Sequence, residues 1–279
     1  MRRFYALGEN VNDNTVNSQK TVVVTGAANG IGAAVAKAFS SQGAFVWLTD
    51  RDEDQGHAVT QSLADDGGNA EFRQLDITSE EGWIGLRDAI DARDQRVDVL
   101  VNCAGRNDFG FISDTPWSKF SQVMDVNLGG AYTGIQTLLP LLSKRSAEEP
   151  AASVVNISSM AASGGVPFFS AYAASKAALT SLTQTAALEF ARLQVPVRVN
   201  AIEPGTIDTD MFAETQELLS AFGKSKEEVV QLATDRHPVG RLGLVDDVVY
   251  AVLYLADEKA SFTTGLSLPV CGGRGAGEW

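Results

Sequence analysis

The chain has 279 residues, a formal net charge of −13, 44% hydrophobic residues and two cysteines. An acidic excess of that size excludes nucleic acid and anionic membrane surfaces as partners, since both need clustered Lys and Arg, and no apolar run is long enough to span a bilayer. Cys103 and Cys271 lie far apart and form no disulfide framework, which points to a reducing, cytoplasmic compartment.

Residues 1–19 carry Arg2 and Arg3, then Gly8-Glu9-Asn10 and an Asn-rich polar run without an apolar segment, so they read as a flexible polar extension and not as a secretory signal. From Lys20 the pattern changes. The β-branched run Thr21–Thr25 ends in Gly26-Ala-Ala-Asn29-Gly30-Ile31-Gly32 and passes into a helical pattern near 31–42. Strand, glycine turn and helix start in that order make a nucleotide-binding βα unit, because glycines admit a pyrophosphate to the backbone and the helix N-terminus offers it free N–H groups.

Further apolar runs follow at Ala44–Thr49, Ala70–Leu75, Val97–Asn102, Ser153–Ile157, Val197–Ile202 and Leu266–Val270, separated by helical patterns near 54–66, 79–94, 117–143, 172–194 and 245–256. Continuous hydrophobicity means strands buried on both faces. The alternation predicts one α/β domain over 20–279: a Rossmann-type, doubly wound parallel sheet of seven strands with helices on both faces and its ligand crevice at the strands' carboxyl ends. The second strand ends in Asp50-Arg51. A carboxylate there accepts from both ribose hydroxyls of NAD and repels the 2′-phosphate of NADP, and Asn29 leaves the glycine loop without a basic residue. NAD is therefore the expected cofactor; Arg51 is the dissenting residue, since it could reach a phosphate.

Tyr172 and Lys176 stand four apart at the start of an Ala-rich helix, with Ser159 thirteen positions upstream. Residues at that spacing share a helix face, and an ammonium one turn from a phenol favours the phenolate, which suits a general acid/base.

With both motifs in hand, the chain resembles the short-chain dehydrogenase/reductase family from about Lys20 to Gly273. The landmarks stand in order: Thr25-Gly26-x-x-x-Gly30-Ile31-Gly32, Asp76-Ile77, Asn102-Cys103-Ala104-Gly105, Asn127, Ser159, Tyr172, Lys176 and Pro204-Gly205. Two departures are visible: Cys103 where the family usually has Asn or Ala, and Cys271 where Asp is common. The resemblance implies that Tyr172 exchanges the substrate proton, Ser159 donates to the substrate oxygen, Lys176 binds the nicotinamide ribose, and Asn127 holds a water joining Lys176 to solvent. Ser158 is a rival for the serine role, although the spacing to Tyr172 favours Ser159. The resemblance also implies that Asp76 and Ile77 meet the adenine, Asn102, Ala104 and Gly105 shape the strand end under the cofactor, Pro204 and Gly205 bind the cofactor, and Thr209 and the backbone near Ile207 meet the carboxamide.

Asp210–Arg236 resembles the family's substrate lid and carries Met211, Phe212, Leu218, Leu219 and Phe222. Phe109, Phe111, Val166, Pro167, Phe168 and Phe169 are further pocket candidates. An aromatic, largely uncharged lining suits a small hydrophobic secondary alcohol or its ketone. Two other readings stay open: a 3-oxoacyl-thioester reductase, which His237-Pro-Val-Gly-Arg-Leu-Gly243 resembles, and a silent nucleotide-binding regulator. Trp117–Ser143 and Tyr172–Gln194 are expected to carry more apolar surface (Met124, Leu128, Tyr132, Ile135, Leu138, Leu139, Ala177, Leu182, Ala186, Ala187, Phe190) than one sheet face can cover. The resemblance implies that these helices pair with their symmetry mates and that a second contact through Leu266–Val270 completes a homotetramer, or failing that a dimer.

Overall fold

The computed structural model describes residues 20–220 and 223–276; the extension 1–19 and the lid residue Phe222 lie outside the described residues. Seven strands, β1 (Thr21–Thr25), β2 (Phe45–Asp50), β3 (Asn69–Gln74), β4 (Val99–Asn102), β5 (Ala152–Ile157), β6 (Val197–Pro204) and β7 (Ser267–Val270), form one sheet in the order β3-β2-β1-β4-β5-β6-β7. Every pairing is parallel. The order reverses between β1 and β4, where a doubly wound sheet opens its crevice.

Neighbouring residues of a strand face opposite sides, and the core divides accordingly. Val22 and Val24 of β1, Val46 and Leu48 of β2, and Ile202 of β6 pack with α1 (Gly30–Ser41) and α9 (Val245–Ala256) on one face. On the other, Val23, Trp47, Leu100, Val154 and Val199 pack with α3 (Glu80–Arg93), α5 (Ala131–Leu142) and α6 (Ser170–Arg192). α2 (Glu53–Asp65) covers the β2–β3 edge. α7 (Asp210–Ser220) and α8 (Lys226–Thr234) form the segment after β6.

Four sequence expectations need correction. The expected helix over 117–143 is interrupted: α4 (Trp117–Met124) runs into a π-helical turn at Asp125–Gly130 before α5 begins. β3 is an edge strand with only Phe72 buried, where a strand buried on both faces was expected. β4 starts two residues late, because Val97 donates its N–H to Leu141 O at 3.1 Å and the Asp98 carboxylate accepts from Thr21 N at 2.8 Å. Of the helix residues expected to need a partner subunit, Ile135, Leu138, Ala186, Ala187 and Phe190 are buried within this chain. Trp117, Tyr132 and Leu188 of the same helices are exposed, as are Tyr250, Tyr254 and Phe262 beside β7.

Candidate active site

The glycine turn after β1 is built by close approach. Gly26 has φ +66°, and a Cβ on it would stand 2.7 Å from Ala104 Cα; a Cβ on Gly32 would overlap the Gly26 carbonyl oxygen. Thr25 Oγ1 accepts from the N–H groups of Cys103 and Ala104, each at 3.1 Å, and so clamps the end of β4 to that of β1. Asn29 caps α1 without a side-chain hydrogen bond, leaving its first amides free toward the crevice.

Beyond those amides lies a trough of about 450 Å³, lined by Gly26, Asn29, Gly30, Ile31 and Gly32 of the turn. Asp50, Arg51, Asp76, Ile77, Ala104, Gly105 and Thr209 also line it. Asp50 is oriented by two backbone donors, Ala28 N to Oδ2 and Asp52 N to Oδ1, both at 3.1 Å. Hydrogen bonds from the Thr78 hydroxyl and amide hold the Asp76 carboxyl below its usual range. Uncapped amides, a turn that tolerates no added Cβ and a pre-oriented carboxylate fit a dinucleotide. Asn102 does not line the trough; it lies buried beneath, donating to Asn156 Oδ1 at 2.8 Å, and Asn156 passes the bond on to Thr183 of α6.

The trough opens into a second cavity of about 430 Å³, shared through Ile31, Cys103, Gly105, Asn107, Thr209 and Met211. Ser159, Tyr172 and Lys176 meet here, together with Pro204, Gly205 and Ile207. Ser159 has extended backbone (φ −168°) and caps a single 3-10 turn, accepting from Ala161 N at 3.1 Å. Its side chain lines the same cavity as Tyr172 and Lys176. Ser158 is committed elsewhere: its hydroxyl donates to Lys176 O at 3.0 Å and pairs with Thr180 at 2.9 Å.

The electrostatics differ from the sequence expectation. Burial pushes the Tyr172 phenol above its ordinary value, with the nearby Ser159 hydroxyl acting in the opposite direction. Lys176 does not supply the expected lowering, because its Nζ lies 5.7 Å from the tyrosine ring centre and donates to Ile157 O at 2.8 Å. Burial in turn brings Lys176 down to about 8, and pushes the Cys103 thiol up to about 12, so this cysteine is no thiolate at neutral pH.

Asn127 lines neither cavity. It sits buried in the π-helical turn, with its amide donating to Arg106 O and Ser175 Oγ, each at 2.9 Å, and its Oδ1 accepting from Arg106 N at 2.8 Å. It thereby fixes the loop after β4 against α6.

Three groups escaped the sequence reading. Glu203, near the carboxyl end of β6, is buried and accepts from Ser163 at 2.8 Å and Thr180 at 3.3 Å, bracing β6 against α6. His237 accepts at Nε2 from Thr206 N (3.0 Å) and donates from Nδ1 to Ala233 O (2.7 Å), a pairing only the neutral ring can make. Burial first, then Arg274 and Arg236, hold His237 below its ordinary value. Arg274, Arg236 and Lys224 line the far part of the second cavity. The charge inside β6 and the lone histidine after the lid were the available signals.

Comparison with known proteins agrees with this geometry. A family model described as enoyl-(acyl carrier protein) reductase matches residues 26–274. Cyclopentanol dehydrogenase of Comamonas testosteroni is 32% identical over 92% of this chain and 97% of its own. L-fucose dehydrogenase of Oryctolagus cuniculus is 37% identical over 91% of this chain and 84% of its own. Among solved structures, an actinorhodin polyketide ketoreductase variant crystallised with NADPH superposes with a TM-score of 0.86 at 32% identity, covering 92% of this chain and 97% of that one. Glycine turn, parallel sheet order, the Ser159, Tyr172 and Lys176 constellation and these matches along nearly the whole length lead to one conclusion: the chain belongs to the short-chain dehydrogenase/reductase family of nicotinamide-dependent oxidoreductases.

Proposed function

We propose that the protein interconverts a hydrophobic secondary alcohol and its ketone, with NAD preferred over NADP. The observation that carries this reading is that Ser159, Tyr172 and Lys176 line one largely apolar cavity that opens into the trough behind the glycine turn. The nicotinamide supplies the hydride acceptor or donor. Tyr172 takes the proton from the substrate hydroxyl in oxidation and returns it in reduction. Ser159 donates to the same oxygen and stabilises the charge that develops there. Lys176 holds the nicotinamide ribose, and Asn127 keeps the Arg106 loop and Ser175 in place beside it. Segment 210–236 acts as the substrate lid.

NAD preference rests on Asp50, aimed by Ala28 N and Asp52 N at the ribose end of the trough. Catalytic efficiency with NAD is expected to exceed that with NADP by at least about tenfold, or about 1.4 kcal/mol. Asp50→Ala should narrow the gap. Steady-state oxidation of a panel of hydrophobic secondary alcohols with each cofactor tests both halves of the reading, and equal efficiency with both cofactors would overturn the preference.

A second reading, reduction of a 3-oxoacyl thioester, is supported by the likeness to the polyketide ketoreductase. It predicts faster turnover of a 3-oxoacyl N-acetylcysteamine thioester than of any simple ketone.

Exposed Trp117, Tyr132 and Leu188 on one side and Tyr250, Tyr254 and Phe262 beside the β7 edge give the subunit two apolar faces, which suits a cytoplasmic homotetramer with two-fold axes. Light scattering should give about four times the 29.6 kDa chain mass; an active monomer would refute this assembly.

A further inference from the structure

The second cavity has a charge that its protein does not. The chain carries 35 acidic and 22 basic residues, yet among the described residues every charged side chain lining this cavity is a cation: Lys176, Lys224, Arg236 and Arg274. Lys176 belongs to the catalytic centre. The other three come from two separate places in the sequence, the lid and the chain's C-terminal turn.

The C-terminal turn is shaped to bring Arg274 back over the site. Gly272 (φ +55°) and Gly273 (φ +89°) adopt left-handed backbone in succession, and Arg274 N closes the turn on Cys271 O at 3.0 Å. Gly275 then lies so close to Met160 that a Cβ would stand 2.7 Å from its Cε, which seats the turn on the segment capped by Ser159. Val239 N donates to Gly272 O at 3.2 Å and ties the same turn to the lid's exit.

Arg274 is half-buried; burial and then the nearby Arg236 charge both lower its proton affinity. Among the described residues, no carboxylate lies within ion-pair distance of Arg274, Arg236 or Lys224. Several other arginines of the chain do have such partners: Arg241 pairs with Asp247, Arg145 with Asp98 and Arg96 with Glu149. Half-buried Arg274 and exposed Arg236 lie near enough for their charges to repel, and an anion joining them relieves that repulsion. A planar carboxylate is the natural guest, because each guanidinium presents paired donors that match its two oxygens.

We propose that the substrate is an oxo or hydroxy acid: an apolar body along the aromatic wall, its reacting oxygen at Ser159 and Tyr172, and a carboxylate held by Arg274 and Arg236 with Lys224 at the rim. This rests on the alcohol–ketone reading and narrows its substrate class.

The test compares reduction of β-benzoylpropionate with that of its neutral methyl ester, in the wild type and in Arg274→Gln and Arg236→Gln. The acid should be preferred by at least about tenfold in kcat/KM, carried mainly by KM. Each variant should raise KM for the acid about tenfold and leave the ester unchanged. Equal use of acid and ester by the wild type, or an equal effect of Arg274→Gln on both, would overturn the proposal.

If neither compound turns over while the protein still binds NADH, the chemistry assigned to the site is in question. Calorimetry of γ-phenylbutyrate, its neutral amide and phenylbutylphosphonate against the protein–NADH complex then decides the anion separately. Carboxylate binding that Arg274→Gln abolishes supports the proposal, whereas equal binding of the amide, or tighter binding of the phosphonate, overturns it.

Discussion

Tyr172→Phe is expected to lower kcat for alcohol oxidation by at least about a hundredfold, the lower end of what a positioned acid/base contributes, while leaving NADH affinity within about twofold. The substitution removes one oxygen and keeps the ring. Ser159 retains its backbone donor, Ala161 N at 3.1 Å, so the turn that presents it should survive. The trough lining is made of other residues, from the glycine turn, Asp50 and Asp76, and does not include Tyr172. Burial raises the phenol above its ordinary value, so its basic form becomes available as pH rises. Wild-type oxidation should therefore increase with pH along one ionisation, and the residual rate of the variant should lack that limb. Steady-state rates across pH, with NADH fluorescence titration for binding, check both parts. A variant that keeps more than about a tenth of the wild-type rate would put the base elsewhere.

What the sequence made legible was local. The Gly26 to Gly32 turn, the four-residue step from Tyr172 to Lys176 and the runs of β1, β5 and β6 each lie within one short segment, and all took the predicted form. Contacts across long sequence separations were hidden. Nothing near His237 in sequence announces that its ring accepts from Thr206, thirty-one residues away. Arg274 reaches the cavity because two left-handed glycines turn the chain back, and neither its direction nor the lack of a counter-ion among the described residues can be read from composition.

The apolar stripe on α5 and α6 was legible as a stripe but not as to its partner, since Ile135, Leu138 and Phe190 serve the chain's own core as well as any neighbour could. The direction of the Tyr172 shift was misjudged for a similar reason. Helical spacing puts an ammonium near the phenol, but the backbone oxygen that draws Lys176 away belongs to Ile157, on β5.

That oxygen also governs the consequence of removing the lysine. Lys176→Met should destroy function and stabilise the unliganded fold. Lys176 is 4% exposed, and among the described residues it has no carboxylate within ion-pair distance; its one hydrogen bond is to Ile157 O. Burial lowers it from 10.5 to about 8. Because the folded value lies below the unfolded one, this group's contribution to stability is present above pH 10.5 and is lost as pH falls through 8. At pH 7 the fold therefore carries the full cost of a buried ammonium. Methionine fills similar space without charge, and the loss of the bond to Ile157 O offsets about 1 kcal/mol of the gain. The unliganded variant should melt a few degrees higher at pH 7, with the difference fading toward pH 10.5. Its turnover should fall by at least about a hundredfold and its affinity for the nicotinamide cofactor should weaken, because the group that burdens the empty protein is the one proposed to hold the nicotinamide ribose. Calorimetric melting at the two pH values, alongside steady-state rates, separates these effects, and a variant that melts lower at pH 7 would show that Lys176 is structural.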